Sequence, residues 1–176
     1  NYIQAHLCEY NGDADHIYGV ADSGGAYLLT YTAAMNKCHT LAKAAHVKPH
    51  NISFRALGLI SGMFYTTRFD KIGMFLPAYL YGKNYKKQSF AKYVNPENPE
   101  LVTSLPPCYL VTSRYDNLRK YTLDFVEALG RYGIVYELSE YMKGRHLTHA
   151  FSVFRPDFKE SEETLSDMHA FFESYK

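Results

Sequence analysis

Strands alternating with helices predict an α/β domain, a mostly parallel sheet with helices on both faces. Two observations carry this expectation. Short, nearly continuous apolar runs recur along the chain, the pattern of strands covered on both sides. Between them, apolar residues recur at intervals of three and four, the spacing of one helical face.

The first run is Ile17 to Ala21, and after Ser23 the period changes. Leu28, Tyr31, Met35, Cys38, Ala42 and Ala45 form one predicted helical stripe ending before Pro49. Phe54 to Phe64 reads as a strand in its first half, broken near Gly62. From Tyr65 to about Val102, aromatics alternate with lysines and "NPENPE" closes the segment, so residues 65–102 read as an insertion of short helices and loops. "LPPCYLVTS", Leu105 to Ser113, enters a third strand through two prolines. Leu118, Tyr121, Phe125 and Leu129 stripe the following helix, which Gly130 and Gly133 stop. A strand from Ile134 to Tyr141 and the loop "MKGRHLTHAF" come next. A last helix starting near Ser161 carries Leu165, Met168, Phe172 and Tyr175 on one side.

At 176 residues the chain suits a single domain. With 19 basic and 18 acidic side chains, its net charge of +1 offers no field to draw nucleic acid or an anionic membrane. Cys8, Cys38 and Cys108 are odd in number and far apart, which argues against disulfides and zinc and for reduced, buried thiols. No apolar run is long enough to span a bilayer, and the expected compartment is the cytoplasm. "GKNYKK" reads as a solvated loop, and His46 and His50, separated by Pro49, as surface residues.

Chemistry is expected where a serine can meet a base and an acid. Ser23 lies where a strand hands over to a helix, and the glycines after it allow a strained turn and close packing of helix on strand. The Gly24 amide would then point at an oxyanion formed by attack of Ser23. The plainer alternative is that Asp22 or Ser23 only caps the helix. Asp116 and His149 also follow predicted strands, at the edge where parallel sheets collect functional residues. Asp-Ser-Gly-Gly also occurs in trypsin-like proteases, but the order Ser, Asp, His and the helix after Ser23 exclude that fold.

"ADSGGA", "LPPCYLVTSRYDNLR" and "THAF" together resemble the motifs of the hormone-sensitive-lipase-like esterases, a branch of the α/β-hydrolase superfamily. The chain is similar to their carboxyl-terminal part, with Ala21 where the family's nucleophile motif begins with glycine. The resemblance implies Ser23 as nucleophile, Asp116 as triad acid, His149 as base and Gly24 as one oxyanion donor, with no cofactor and no metal. His146 is the rival base; Asp124 and Asp157 are rival acids expected to be solvated. Residues 65–102 are expected to form part of a cap or substrate pocket, with Met63, Phe64 and Phe75 as lining candidates. The family's second oxyanion donor comes from a His-Gly-Gly loop that does not occur here. The expectation is therefore a fragment whose strand edge near Ala21 pairs with the upstream part of the same protein or another chain. An ester hydrolase is the leading reading; an amidase or peptidase on the same fold, and an inactive binding module, are the others.

Overall fold

The structure, a computed structural model, describes residues 2–49 and 52–176. Helix α1 (Tyr2–His6) and a 3-10 turn (Leu7–Tyr10) precede strand β1 (Ile17–Asp22), which runs directly into α2 (Ser23–Met35). Helix α3 (His39–Ala44) leads to β2 (Phe54–Ile60). The segment that follows holds α4 (Lys71–Tyr81), two 3-10 turns and α5 (Pro99–Val102). Then come β3 (Cys108–Ser113), α6 (Arg119–Arg131), β4 (Tyr136–Tyr141), α7 (Phe151–Phe154) and α8 (Lys159–Glu173).

The strands form one parallel sheet in the order β1-β2-β3-β4. Its register sets Asp22 opposite Ile60, Ile60 opposite Val111 and Val111 opposite Ser139. Ser23, Ser61 and Thr112 therefore emerge together at the carboxyl edge, where parallel sheets present functional groups. Strand β3 is buried throughout and β2 from Ala56 onward, which explains their unbroken apolar runs. Alternate side chains feed two cores. Leu57, Leu59, Cys108 and Leu110 meet Ala26, Phe125 and Leu129 on one face. Ala56, Ile60, Tyr109 and Val111 meet Met168 and Phe171 on the other. Each fully buried leucine or phenylalanine contributes about 1.5–3 kcal/mol relative to exposure. At Gly58 a Cβ would stand 2.4 Å from Met168 Sδ, so the missing side chain is what lets α8 close on the sheet.

Several expectations need correction. The predicted stripe through Ala45 is split: α2 stops at Met35 and a separate helix, α3, begins at His39, with the Asn36 side chain between them donating to the Ile52 carbonyl. The buried arc of α2 is Ala26, Tyr27, Thr30, Tyr31, Ala33 and Ala34, and Leu28 is 65% exposed. On α8 the buried residues are Ser161, Thr164, Met168 and Phe171, while Leu165 is exposed. The two hydroxyls tolerate burial because each is bonded, Ser161 to the Arg155 carbonyl and Thr164 to the Glu160 carbonyl and the Tyr141 hydroxyl. Cys38 and Cys108 are buried, but Cys8 is exposed. In residues 65–102 the longest element is α4, an 11-residue helix whose cap, Asp70, accepts from the Gly73 N–H. His46 is exposed, and His50 lies outside the described residues. Among the described residues no helix is long and apolar enough to cross a membrane.

Candidate active site

The turn from β1 into α2 puts its strain on the serine. Asp22 is extended and makes no side-chain cap bond, whereas Ser23 has φ of 49°, in the left-handed region that non-glycine residues rarely occupy. Such a residue costs about 1–3 kcal/mol and persists only where its surroundings hold it. The Ser23 carbonyl accepts from the Met63 N–H at 3.0 Å. Gly24 and Gly25, expected to supply the strain, do not have positive φ and lie in the first turn of α2. Their contribution is space: a Cβ on Gly24 would meet Met63 Cε at 3.7 Å, and one on Gly25 would meet Ala21 Cβ at 3.6 Å. The Gly24 N–H belongs to the first turn, where amides have no intrahelical partner and the helix dipole is positive.

Ser23, His149 and Asp116 come together from three separate segments. The Ser23 hydroxyl lies 3.0 Å from His149 Nε2, and His149 Nδ1 lies 2.9 Å from Asp116 Oδ1. With Nδ1–H donating to the carboxylate, Nε2 is left as an acceptor for the serine proton. The Asp116 side chain is fully buried. It also accepts from the Leu118 N–H and the Thr112 hydroxyl, both at 2.9 Å. Three donors thus hold an acceptor-only group in one orientation. The imidazole keeps 28% of its side-chain surface exposed, which leaves it open to a reactant. This arrangement can remove a proton from Ser23 and stabilise the cation that results.

The rival residues stand elsewhere. His146 packs edge-on against Phe158, and its Nε2 lies 3.7 Å from a Glu160 carboxylate oxygen. Asp124 is not solvated as expected; it pairs with Arg68 and Lys120 and keeps 19% side-chain exposure. Asp157 pairs with Arg155 on the surface. Of the lining candidates, Met63 is beside the nucleophile turn. Phe64 is fully buried and stacks on Phe125 with centroids 4.2 Å apart, so it is core rather than pocket wall. Phe75 projects from α4 with 73% exposure. Among the described residues no group of three metal-ligating side chains converges.

Beside the site, α2 packs against the aromatic segment. Tyr27 and Tyr81 share a hydrogen bond at 2.5 Å, Thr66 and Tyr81 another at 2.6 Å, and the Tyr31 hydroxyl donates to the Tyr93 carbonyl. Burial raises all three tyrosines above their ordinary values, so they are neutral hydroxyls. A groove of about 320 Å³ runs along this seam, lined by Tyr27, Tyr31, Met35, Leu80, Tyr81 and Phe90 among others. It begins at Tyr27, four residues and about 6 Å of helix beyond Ser23. Three hydroxyls near the triad had not been singled out in the sequence: Ser61, Thr112 and Ser113. Their signal was position, directly after apolar strand runs in "LIS" and "LVTS".

No protein-family model matches the chain, and no curated protein sequence does. The fold is that of the α/β-hydrolases. Esterase B from Lactobacillus rhamnosis superposes with a TM-score of 0.85 at 21% identity, over 97% of this chain and 56% of that one. An esterase from Pyrobaculum calidifontis gives 0.67 at 21% identity, over 98% of this chain and 57% of that one. The acylaminoacyl peptidase of Pyrococcus horikoshii gives 0.64 at 18% identity, over 88% and 23%. The chain spans little more than half the length of either esterase, and at these identities the likeness is one of fold.

Proposed function

We propose that this chain carries the catalytic residues of a carboxylic-ester hydrolase working through an acyl-enzyme. Ser23 attacks the ester carbonyl while His149 Nε2 takes its proton, and His149 returns that proton to the leaving alcohol. Asp116 holds Nδ1–H and offsets the imidazolium charge. The Gly24 N–H is one donor to the tetrahedral oxyanion. Water, deprotonated by the same histidine, then releases the acid and restores Ser23. The single observation that carries this reading is the unbroken hydrogen-bond chain from Ser23 through His149 to buried Asp116. The seam of α2 with residues 65–102 suits an apolar acyl or aryl group, because its groove is lined mainly by rings and aliphatic side chains. A fluorophosphonate should add its mass to the protein, and Ser23→Ala should abolish the adduct; an unmodified parent would sink the proposal.

A peptidase neighbour on the same fold favours a second reading, hydrolysis of amides. Comparing a nitrophenyl ester with the nitroanilide of the same acid separates the two, and the ester is expected to turn over faster. The binding-module reading predicts a triad out of hydrogen-bonding reach, and separations of 3.0 and 2.9 Å weigh against it. Among the described residues strand β1 has a partner on one side only, and Val20 on it is 52% exposed. We propose that this edge takes a further strand, from the same protein or a second chain, bringing the remaining oxyanion donor. Slow hydrogen exchange at the outward amides of β1 is expected; fast exchange there would exclude such pairing.

A further inference from the structure

The geometry points to Ser61 as a positioning residue: the turn Ser61 to Met63 is a bracket that sets the distance between Ser23 and His149. The inference deepens the hydrolase reading and rests on it. Five non-glycine residues among those described have positive φ, and three meet here: Ser23 at 49°, Ser61 at 48° and Ala150 at 50°. Strained backbone gathers where the surroundings over-determine it. The bonds on either side of the turn show what does so.

At one end of the turn, the Met63 N–H donates to the Ser23 carbonyl at 3.0 Å. At the other, the Ser61 hydroxyl accepts from the Ala150 N–H at 3.0 Å. Ala150 directly follows His149. On the far side of His149, the Leu147 carbonyl accepts from the Ser113 hydroxyl. The imidazole is thus carried on a short backbone span clamped from the carboxyl ends of both β2 and β3. The bracket is anchored in turn: the Ser61 N–H donates to the Val111 carbonyl at 2.8 Å, and the Phe64 ring covers Gly62 so closely that a Cβ there would stand 2.2 Å away.

Glycine is the residue that a left-handed position ordinarily favours. Serine stands at 61 nonetheless, 1% exposed, and its only distinguishing asset is the hydroxyl that holds Ala150. Without it, a buried N–H next to the base loses its partner. The base could then shift relative to Ser23, and displacements of about 1 Å cost rate steeply.

Ser61→Gly tests this, because it removes the hydroxyl while keeping the backbone conformation accessible. The expected result is thermal unfolding close to the parent's, with fluorophosphonate labelling of Ser23 slowed roughly tenfold to a hundredfold. The low-field proton that His149 shares with Asp116 should broaden or vanish in the NMR spectrum. Ser61→Cys, similar in shape but a weaker acceptor, should fall in between. Ser152→Ala, which removes another buried hydroxyl with no hydrogen-bond partner among the described residues, should label at the parent's rate. A parent that takes no label refutes the hydrolase reading, yet the imidazole proton still decides the bracket. Ser61→Gly with the parent's labelling rate and a sharp imidazole proton overturns the inference.

Discussion

Replacing Asp116 by asparagine should separate the charge of the acid from its hydrogen bonds. The amide oxygen can keep the two bonds now made by Oδ1, from Leu118 N–H and His149 Nδ1–H. The Thr112 hydroxyl, at 2.9 Å from Oδ2, can rotate to accept from the new amide. Shape and bonding thus nearly survive, and a stability loss of about 1 kcal/mol, or 2–4 °C in melting temperature, is expected. The transition state is different, because the imidazolium then faces a neutral group. With Nδ1 and Oδ1 2.9 Å apart, the delocalised charges are about 4 Å apart, worth about 4 kcal/mol at an effective dielectric constant near 20. At 1.36 kcal/mol per decade this is about a thousandfold in rate. The assay is the second-order rate of fluorophosphonate inactivation, with a melting curve on the same sample. A rate loss below tenfold in a folded variant would refute the assignment of Asp116.

Other consequences follow from the same geometry. His46 has φ of 55° just after α3, with Val47 N–H bonded to the Ala42 carbonyl, so His46→Gly should raise stability by about 0.5–1 kcal/mol, read as a higher urea midpoint. Tyr93, Thr40 and Lys92 hold the Glu100 carboxyl down to about 2 from 4.5. Its folded value is depressed, so the stabilisation is present above pH 4.5 and lost as pH falls toward 2, and Glu100→Gln should flatten the stability profile in that window. Burial pushes the Cys108 thiol up to about 12, so a disulfide reagent should modify exposed Cys8 at once and Cys108 only on unfolding.

The sequence by itself determined the elements and the candidates for chemistry. Unbroken apolar runs made β2 and β3, the strands buried on both faces, legible; β1 and the more polar β4 are only half-buried and were legible as short strand-like runs between helices. With the strands came the three positions, Ser23, Asp116 and His149, beyond carboxyl ends. Periodicity was a poorer guide to the helices. Leu28 and Leu165 lie on apolar stripes yet face water, whereas Thr30, Ser161 and Thr164 are buried with their hydroxyls bonded to the nearby carbonyls of Ala26, Arg155 and Glu160. Polar residues that bond locally thus take core positions the stripe assigns to leucine. Phe64 could not be assigned to core or pocket until Phe125, 61 positions along, came to lie beneath it. What tertiary structure alone decided was the meeting itself. His149 stands 126 residues from Ser23, and the separation of their reacting atoms is set by sheet register and by the clamps at Ser61 and Ser113. A residue's chemistry is local and can be read from its type. Its distance to a partner depends on how remote backbone groups satisfy their hydrogen bonds, which no local pattern encodes.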